Sequence, residues 1–589
     1  MGENMKLQIG ELYFVSDTKY DILMSLTEEK EDYKKIKIKI NFGEKITPEA
    51  VKIKWEYSGK NIISVWHPQA WFDNGIKPSW APRKNESRSA QSAPIMCHYS
   101  QSGQNVLTVS MTDVRTPIEM SSGVNEGNAN IECVIKLFSQ CVGAMSEYET
   151  ELILDTRDIP YYDAIRSVSD LWADIGYKSA FVPDSAMRPM YSTWYAYHQN
   201  MKRDELVNEL KLAKEYGMET VIVDDGWQTT DCSGGYSTCG DWEPERFPDM
   251  KELVQDIHNL GMKYMMWYSV PFVGENSKIK DKFQGKFLNL LDENMKAYTF
   301  DPRFPDVREY LVSVYEKAVT DWNLDGLKLD FIDSFRLTEH SAVSDERMDY
   351  ESLEDGVCAL LREVMEKLRK INPDIMIEFR QKYIGPIMRT YGNMLRVEDC
   401  PISPLHNRVG SIDLRMTSST SAVHSDMLMW NYDDTVQSAA LELINILFCV
   451  PQISVLIEKL PDDHKKMLKF YLDFWNKHRD CLMMGELTAK NPESNYSIAQ
   501  SSTDNEIIAV SYTRNVLDVE KEYQSLYFVN GSCDDVLIIN NKNGEYSGIL
   551  TVYDCMGNVQ KEEKYIVKSG YNEIAVPVSG IICINKKHV

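Results

Sequence analysis

The chain has 589 residues, a hydrophobic fraction of 43%, a charged fraction of 26% and a formal net charge of -25 at pH 7. This length exceeds what a single compact core requires, and the composition is that of an ordinary globular protein, so roughly two to four domains are expected. The acidic balance excludes nucleic acid and anionic membranes as partners, because both would repel the chain. A neutral small molecule or oligosaccharide is compatible with it.

The cysteines and the start of the chain indicate a compartment. None of the twelve cysteines forms a CxxC pair, and the most suggestive spacing is Cys232 with Cys239 in a glycine-rich loop. The first residues lack the apolar core of a signal peptide, and no apolar run reaches the roughly 18 residues of a membrane helix. We therefore expect a reduced cytoplasmic protein, with a Cys232–Cys239 disulfide as the less favoured alternative.

The first part of the chain, to about residue 154, consists of short runs that alternate between apolar and polar residues. The clearest runs are 35–40, 51–55, 106–110 and 131–135. A period of two buries one face of a strand and leaves the other in water. The pattern predicts an N-terminal antiparallel β-sandwich, which we assign, with a linker, to residues 1–185.

The pattern changes near residue 188, where short apolar segments begin to alternate with helical stripes. One helix is predicted to end at Gly217, a second to begin at Asp249 with Glu252 as its capping-box partner, and a third to begin at Pro305. Eight segments are predicted as buried strands: 190–194, 220–224, 263–268, 326–330, 375–380, 394–399, 422–429 and 448–453.

Eight strands separated by helices over nearly 300 residues are typical of a closed parallel barrel. An open doubly wound sheet is the alternative, but no glycine-rich phosphate loop follows the first strand. From about residue 487 the strand pattern returns, in segments such as 507–512, 525–529 and 580–584. The predicted fold class is multidomain α/β and β: a central (β/α)8 (TIM) barrel over residues 186–482, flanked by the N-terminal β-sandwich and a small C-terminal antiparallel β-sandwich over residues 483–589.

Two acidic residues end predicted barrel strands, Asp330 on the fourth and Asp399 on the sixth. Reactions in this fold occur at the carboxyl ends of the strands, so both carboxylates are expected at the barrel mouth. A retaining glycosidase needs two such groups about 5–5.5 Å apart, one ionised and one protonated. The pair therefore favours glycoside hydrolysis.

The neighbours of the two carboxylates predict how the roles divide. Lys328, two residues before Asp330 on the same strand face, is expected to lower the pKa of Asp330 and keep it ionised. Glu398, beside Asp399, is expected to raise the pKa of a proton donor by like-charge repulsion. Glu398 is also a rival of Asp399 for the donor role.

A turn at the end of the second strand carries polar and aromatic groups. Asp224 and Asp225 precede a glycine and Trp227. The carboxylates suit sugar hydroxyls and the indole suits a sugar face, although an ordinary helix-capping turn is the alternative. Trp194 and Trp267 also fall at strand ends, where a pocket wall and core packing are both open. No metal-ligand spacing and no Gly-x-Ser-x-Gly motif occurs in the sequence, so we expect no metal and no organic cofactor.

Taken together, the Asp-Asp-Gly-Trp turn at 224–227, the Lys-Leu-Asp strand end at 328–330 and the Arg-Val-Glu-Asp segment at 396–399 resemble glycoside hydrolase family 36. This family comprises the α-galactosidases, or melibiases, of clan D. The resemblance extends to segments 421–425 and 448–460 and covers most of the chain. It implies the same three parts in the same order: a β-sandwich, a catalytic barrel and a small β domain.

The resemblance also implies roles. Asp330 would be the nucleophile and Asp399 the acid/base of an exo-acting hydrolase. Such an enzyme releases a terminal α-linked galactose, or a related α-hexose, with retention through a covalent glycosyl-enzyme. Asp224 and Asp225 would bind the hydroxyls at carbons 4 and 6, and Lys328 a further hydroxyl.

The pocket wall implied by the resemblance consists of Trp194, Trp227 and Trp267. On strand five the family usually carries Cys-x-Ser-Gly-Gly-Gly-x-Arg, whereas this chain places the larger Arg380 and Tyr383 there. We therefore expect Arg380 to contact the substrate. An α-N-acetylgalactosaminidase, a raffinose-synthase-like transglycosylase and, as the least favoured reading, a non-catalytic carbohydrate-binding protein remain alternatives.

One further segment, residues 66–80, is rich in tryptophan and proline. Packing on the β-sandwich is the preferred interpretation. The alternative is that it reaches a barrel mouth, in its own subunit or in a neighbour within a homo-oligomer.

Overall fold

The computed structural model describes residues 5–9, 12–16 and 18–586. Its N-terminal part consists of two six-stranded sheets, in the orders β1-β2-β5-β11-β10-β7 and β3-β4-β12-β9-β8-β6. The strands are β1 Met5–Ile9, β2 Leu12–Ser16, β3 Asp21–Lys30, β4 Tyr33–Ile46, β5 Val51–Tyr57, β6 Ser64–Trp66, β7 Arg83–Ser87, β8 Ile95–Tyr99, β9 Asn105–Met111, β10 Ile118–Val124, β11 Ile131–Leu137 and β12 Met145–Asp155.

The alternating residues make this part a sandwich. In β4 the side chains of Ile36, Ile38 and Ile40 are fully buried, while the intervening lysines face outward. They pack with apolar residues of both sheets into one core. The predicted N-terminal β-sandwich is confirmed, and helix α1, Tyr161–Asp174, follows it against β8 and β9.

Eight parallel strands then close into a barrel in the order β13-β14-β15-β18-β19-β20-β21-β22. The elements of this part are β13 Met190–Ser192, α2 Trp194–Tyr197, α3 Arg203–Glu215, β14 Thr220–Val223, α4 Met250–Asn259, β15 Lys263–Ser269, β16 Phe272–Gly274, β17 Ala297–Thr299, α5 Pro305–Trp322, β18 Gly326–Asp330, α6 Leu353–Ile371, β19 Met376–Phe379, α7 Pro386–Tyr391, β20 Met394–Arg396, α8 Pro404–Thr417, β21 Ala422–Leu428, α9 Val436–Asn445, β22 Val450–Ile453 and α10 Asp462–Met484. Each predicted strand overlaps an observed one, so the barrel is confirmed.

The predicted helix ends agree with the structure, but one predicted cap does not form. Helix α3 ends before Gly217, which has a φ of +84°. At the start of α4 the Asp249 side chain caps no backbone N–H and instead accepts from the Arg203 guanidinium. The apolar face of α4, with Leu253 and Ile257 buried, holds the helix in place without that cap.

The barrel interior is layered, because alternate residues of each strand point inward. Apolar residues fill the layer near the strand starts: Met190, Ile222, Met265, Met376, Met394 and Ala422. Two residues further along these strands come polar or aromatic side chains: Asp224, Trp267, Glu378, Arg396 and His424. The period of two therefore directs the polar groups of separate strands toward one end of the barrel.

The C-terminal part is a seven-stranded sheet, β23-β24-β25-β27-β32-β29-β30, facing a three-stranded sheet, β26-β28-β31. The strands are β23 Glu486–Lys490, β24 Ile498–Ser502, β25 Glu506–Ser511, β26 Val516–Val519, β27 Ser525–Asn530, β28 Val536–Asn541, β29 Tyr546–Tyr553, β30 Val559–Val567, β31 Gly570–Ala575 and β32 Ile581–Lys586.

The predicted C-terminal sandwich is confirmed, but it is not wholly antiparallel. The pairs β25–β27 and β26–β28 are parallel. The chain crosses to the other sheet between each pair, so the second strand returns in the same direction as the first. The domain boundaries at 185/186 and 482/483 stay a prediction.

Two of the compositional predictions concern the whole chain. Within the described ranges, no helix combines the length and the apolar character needed to cross a membrane. All twelve cysteines lie in those ranges and are free thiols, including Cys232 and Cys239.

Candidate active site

Asp330 ends β18 at the barrel mouth, by which we mean the carboxyl ends of the eight strands. Its side chain is buried, and Oδ2 accepts a hydrogen bond from Trp267 Nε1 at 2.8 Å. Oδ1 accepts from the backbone N–H of Phe331 at 2.7 Å and lies 3.5 Å from Arg380 Nε. Phe331 has a φ of +63°, an uncommon conformation for a bulky residue, and this turn aims its N–H back at the carboxylate. The three groups described around the Asp330 carboxylate are thus all hydrogen-bond donors, which fix its orientation.

Asp399 follows β20 and is gripped by two arginines. Arg396 Nη2 donates to Oδ1 at 2.8 Å, and Arg380 Nη2 donates to Oδ2 at 2.9 Å. Burial opposes ionisation, but the charges of Arg396 and Arg380 outweigh it and hold the pKa of Asp399 well below its usual range. The expectation that Asp399 is the protonated carboxyl is wrong for the free protein.

Glu398 behaves in the opposite way. Burial raises its pKa, against the positive charges of Lys382 and Arg380. The predicted like-charge effect of Glu398 on Asp399 is therefore overridden, because the positive charges of Arg396 and Arg380 lower the pKa of Asp399.

Arg380 connects the two acids. Its Nε faces Asp330 and its Nη2 bonds Asp399, so both carboxylates lie within the reach of one guanidinium group. The same group lies over the Phe331 ring, 4.8 Å from the centroid. The structure thus brings Asp330, Asp399 and Arg380 together at the centre of the mouth.

Lys328 forms its ion pair with Asp224 and not with the neighbouring Asp330. Its Nζ lies 2.5 Å from Asp224 Oδ2, and both side chains are almost fully buried. Position 328 points into the same layer as 224, whereas Asp330 lies one layer nearer the mouth. Asp224 Oδ1 also accepts from the backbone N–H of Asp225. The pair holds the end of β14 against β18.

Substitution of Lys328 by Met is expected to lower the free energy of unfolding by about 3–5 kcal/mol, because it leaves Asp224 buried without its counter-charge. Lys263, whose side chain is 42% exposed and whose Nζ lies 3.4 Å from Asp325, offers a matched control, and Lys263→Met is expected to cost less than about 1 kcal/mol. Urea unfolding followed by tryptophan fluorescence measures both. Equal losses would show that the buried pair stabilises the fold no more than the partly exposed pair does.

Asp225 lies beside this pair in an amide cradle. Gln199 Nε2 donates to Oδ2 at 2.8 Å and Gln228 Nε2 donates to Oδ1 at 2.6 Å. Burial raises the pKa of Asp225 to about 6, although the two amides favour the ionised form. The Asp225 carboxyl is therefore fixed in orientation, and its pKa lies above that of an ordinary aspartate.

The three predicted wall tryptophans take different places. Trp227 is fully buried outside the mouth, packed against Trp242, Tyr268 and Trp322, and its Nε1 donates to the Trp267 carbonyl. The prediction that Trp227 walls the pocket is wrong, because the turn at Gly226, with φ of +112°, sends the indole into the core.

The other two tryptophans remain at the mouth. Trp267 is buried, touches Asp330 through its indole N–H and stacks on Tyr236 at 6.1 Å. Trp194 begins the short helix α2 after β13, is half-buried, and its ring meets the edge of His198.

Sequence reasoning missed a buried polar layer beneath the two acids. Glu378 accepts from Gln452 Nε2 and lies 3.8 Å from Arg396 Nε. Arg396 also donates to Asp426, which accepts from the Tyr195 hydroxyl at 3.0 Å. The sequence signal for this layer is that polar residues occupy positions 378, 396, 426 and 452, which point into the barrel because alternate residues of each strand do so. It fixes Arg396, and through Arg396 it fixes Asp399.

The loop after β6 reaches the barrel of its own chain. Trp71 lies under Lys382 Nζ, 3.8 Å from the ring centroid, and meets the His406 ring on α8 at 4.7 Å. Trp66 donates to Asp413, also on α8, at 2.9 Å. Packing on the sandwich is therefore not the whole account of residues 66–80, since Trp66, the last residue of β6, and Trp71 both contact the barrel.

The fold and the site define a class: a (β/α)8-barrel protein with opposed carboxylates at its mouth, flanked by two β domains. The melibiase family profile matches residues 176–485, which include the whole barrel. The chain belongs to the melibiase family.

Individual relatives are distant in sequence. The chain is 24% identical over 196 residues to the α-galactosidase AgaA of Geobacillus stearothermophilus, a match covering 32% of this chain and 26% of AgaA. It is 23% identical over 154 residues to the α-galactosidase Mel36A of Lactobacillus acidophilus, covering 25% and 20% of the two chains. The aligned stretches thus span about a quarter or less of these relatives.

Solved structures share the fold over almost the whole chain. An α-galactosidase from Lactobacillus brevis superposes with a TM-score of 0.65 at 12% identity, covering 100% of this chain and 83% of that one. AgaA of Geobacillus stearothermophilus gives a TM-score of 0.65 at 15% identity, covering 98% and 81%. The three-part architecture is therefore common to these proteins.

Proposed function

We propose that this protein is a retaining, exo-acting glycoside hydrolase that releases a terminal α-linked galactose, or a closely related α-hexose. The observation that carries the proposal is the pair Asp330 and Asp399, two carboxylates at the barrel mouth within the reach of one guanidinium group. Membership of the melibiase family supports it. So do the complexes of AgaA variants with raffinose and stachyose, which suggest an oligosaccharide substrate.

The reaction we propose has two displacements at the anomeric carbon. Asp330 attacks that carbon while Asp399 gives a proton to the departing glycosidic oxygen, which forms a β-linked glycosyl-enzyme. Asp399 then takes a proton from water, the water attacks the same carbon, and Asp330 leaves. The sugar is released in the α configuration.

The surrounding residues bind and orient. Asp224 and Asp225 are proposed to accept hydrogen bonds from sugar hydroxyls, and Lys328 is proposed to donate a hydrogen bond to a sugar hydroxyl. Trp267 orients Asp330 through its indole N–H, and Trp194 covers one side of the sugar. No step of this mechanism uses a metal or an organic cofactor.

Strand five favours a sugar with a small substituent at each ring carbon. Tyr383, which follows strand five, is buried and fills volume next to Asp333 and Gln381. A 2-acetamido group would need that volume, so we propose a simple α-hexoside over α-N-acetylgalactosamine.

A panel of aryl α-glycosides tests the function. We expect turnover of the α-galactoside, with α-galactose as the first product seen by ¹H NMR before mutarotation. Initial formation of β-galactose would contradict retention, and a panel without any turnover would favour a binding protein. Adding excess acceptor sugar separates hydrolysis from transglycosylation, because only a transglycosylase forms a new oligosaccharide in preference to free sugar.

The remaining proposals concern the setting of the enzyme. The free state of the twelve cysteines supports a cytoplasmic location. A homo-oligomer remains a prediction.

A further inference from the structure

The position of Arg380 conflicts with the reaction proposed above. The anomeric carbon has to lie between the two carboxylates, and in the free protein the Arg380 guanidinium lies there instead. Its Nε is 3.5 Å from Asp330 Oδ1 and its Nη2 is 2.9 Å from Asp399 Oδ2. A sugar ring and this guanidinium cannot share the space, so Arg380 has to move when substrate enters.

The two arginines that hold Asp399 are not equally free to move. Arg396 is fully buried, donates to Asp426 as well as to Asp399, and lies within the polar layer of the barrel. The side chain of Arg380 is 18% exposed and lies on the loop that follows β19, beside Gln381 with φ of +71°. Arg380 is therefore the partner that a substrate displaces.

The charges around Asp399 explain what this displacement does. The cations that act on Asp399 are Arg396, Arg380 and Lys328, and Asp426, Glu398 and Tyr195 interact with it as well. The two arginines also face Asp330, Asp333, Glu378 and Tyr236. Asp426 partly neutralises Arg396, because the two form a buried pair. Loss of the Arg380 contact therefore leaves Asp399 with Arg396 as its one guanidinium partner among the described residues, and one oxygen of Asp399 becomes free to face the leaving group.

We propose that Arg380 is a positioning residue that locks Asp399 between two guanidinium groups in the free protein and releases it when a substrate enters between Asp330 and Asp399. This inference rests on the hydrolase function proposed above. On release, Asp399 takes one proton from solvent and later donates it to the glycosidic oxygen. The low pKa of Asp399 in the free protein is consistent with this order of events.

Carbodiimide labelling tests the lock without any turnover. The reagent couples an amine to carboxyl groups in proportion to their protonated fraction, and the side chain of Asp399 is 35% exposed. At pH 6 we expect slow labelling of Asp399 in the unaltered protein. We expect labelling at least about tenfold faster in Arg380→Met, since loss of a neighbouring cation raises a carboxyl pKa by about one unit or more. Peptide mass spectrometry reads the label at residue 399.

Two variants serve as controls. Arg380→Lys keeps the charge and is expected to label close to the unaltered rate. Arg336→Met removes a guanidinium that contacts Asp333 O and Gln91 but not Asp399, and is expected to change nothing. Arg380→Gln replaces Arg380→Met if circular dichroism shows that the methionine variant does not fold. Labelling that is unchanged in the neutral variants overturns the proposal.

The pH profile of turnover separates this proposal from the proposed function. Proton donation fails when Asp399 ionises, so the basic limb of kcat/KM is expected to shift to higher pH in Arg380→Met and not in Arg380→Lys. Faster labelling of Asp399 in Arg380→Met, together with no turnover of any aryl α-glycoside by the unaltered protein, would contradict the hydrolase function but support the role proposed for Arg380. Turnover of an aryl α-glycoside, with the basic limb of kcat/KM and the labelling of Asp399 both unchanged in Arg380→Met, would contradict the role proposed for Arg380 but support the hydrolase function.

Discussion

Replacing Asp330 with Ala is expected to lower kcat/KM for an aryl α-galactoside by about 10⁴-fold or more, because the group that forms the covalent intermediate is lost. The surrounding structure is expected to persist. Trp267 Nε1 and the Phe331 N–H lose an acceptor, but no buried charge is left without a partner, since Arg380 keeps Asp399. Steady-state kinetics and a thermal unfolding scan measure the two effects.

Added azide makes this result specific for a nucleophile. Azide fits the space left by the carboxylate and attacks the anomeric carbon from the same side, so Asp330→Ala is expected to form β-galactosyl azide. Asp333→Asn is a matched control, because Asp333 is a half-buried acid three residues further on, with a pKa that burial raises. The asparagine variant is expected to keep activity within about tenfold and to form no azide product. Near-normal activity of Asp330→Ala would show that Asp330 is not the nucleophile.

Replacing Asp399 with Ala is expected to produce a loss that depends on the leaving group. With an alkyl or sugar aglycone, which needs a proton to depart, kcat/KM is expected to fall by about 10²–10⁴-fold. With a dinitrophenyl aglycone, which departs without a proton, the loss of kcat/KM is expected to be small. A plot of log(kcat/KM) against leaving-group pKa would therefore be steeper for the variant than for the unaltered enzyme.

Glu398→Gln is the comparison that assigns the proton donor. Burial gives Glu398 a raised pKa, which fits a donor, whereas Asp399 contacts the same guanidinium as Asp330. If Asp399 is the donor, azide is expected to restore Asp399→Ala with formation of α-galactosyl azide, and Glu398→Gln is expected to show no dependence on the leaving group. The reverse pattern would transfer the role to Glu398.

The sequence was sufficient to predict most of the architecture. The alternation in β4 predicts a half-buried sheet, and the eight apolar segments between 190 and 453 predict a barrel, because both patterns report local burial. Asp330 and Asp399 follow from the same logic, as acids at strand ends of a fold whose mouth is reactive. Alternation within a strand and apolar segments are both local in the chain, so strands and their buried faces can be predicted from sequence.

Pairing between side chains was harder to predict. Lys328 lies two residues from Asp330 on the same strand face, but its ion-pair partner is Asp224, which follows another strand. Trp227 looked like a pocket wall and lies in the core. Both cases have the same cause. The residues that contact Lys328 and Trp227 lie on elements distant in sequence, and only the closed barrel brings those elements together.

By itself, the sequence determined three parts in order, a barrel with its eight strands, and two acids at the barrel mouth. Only the tertiary structure decided which charges meet those acids. Arg380 and Arg396 converge on Asp399 from adjacent strands, and Trp71 arrives from the first domain to lie under Lys382. The physical reason is that burial and periodicity depend on residues close together in the chain, whereas the pKa of a carboxylate depends on charges a few ångströms away in space.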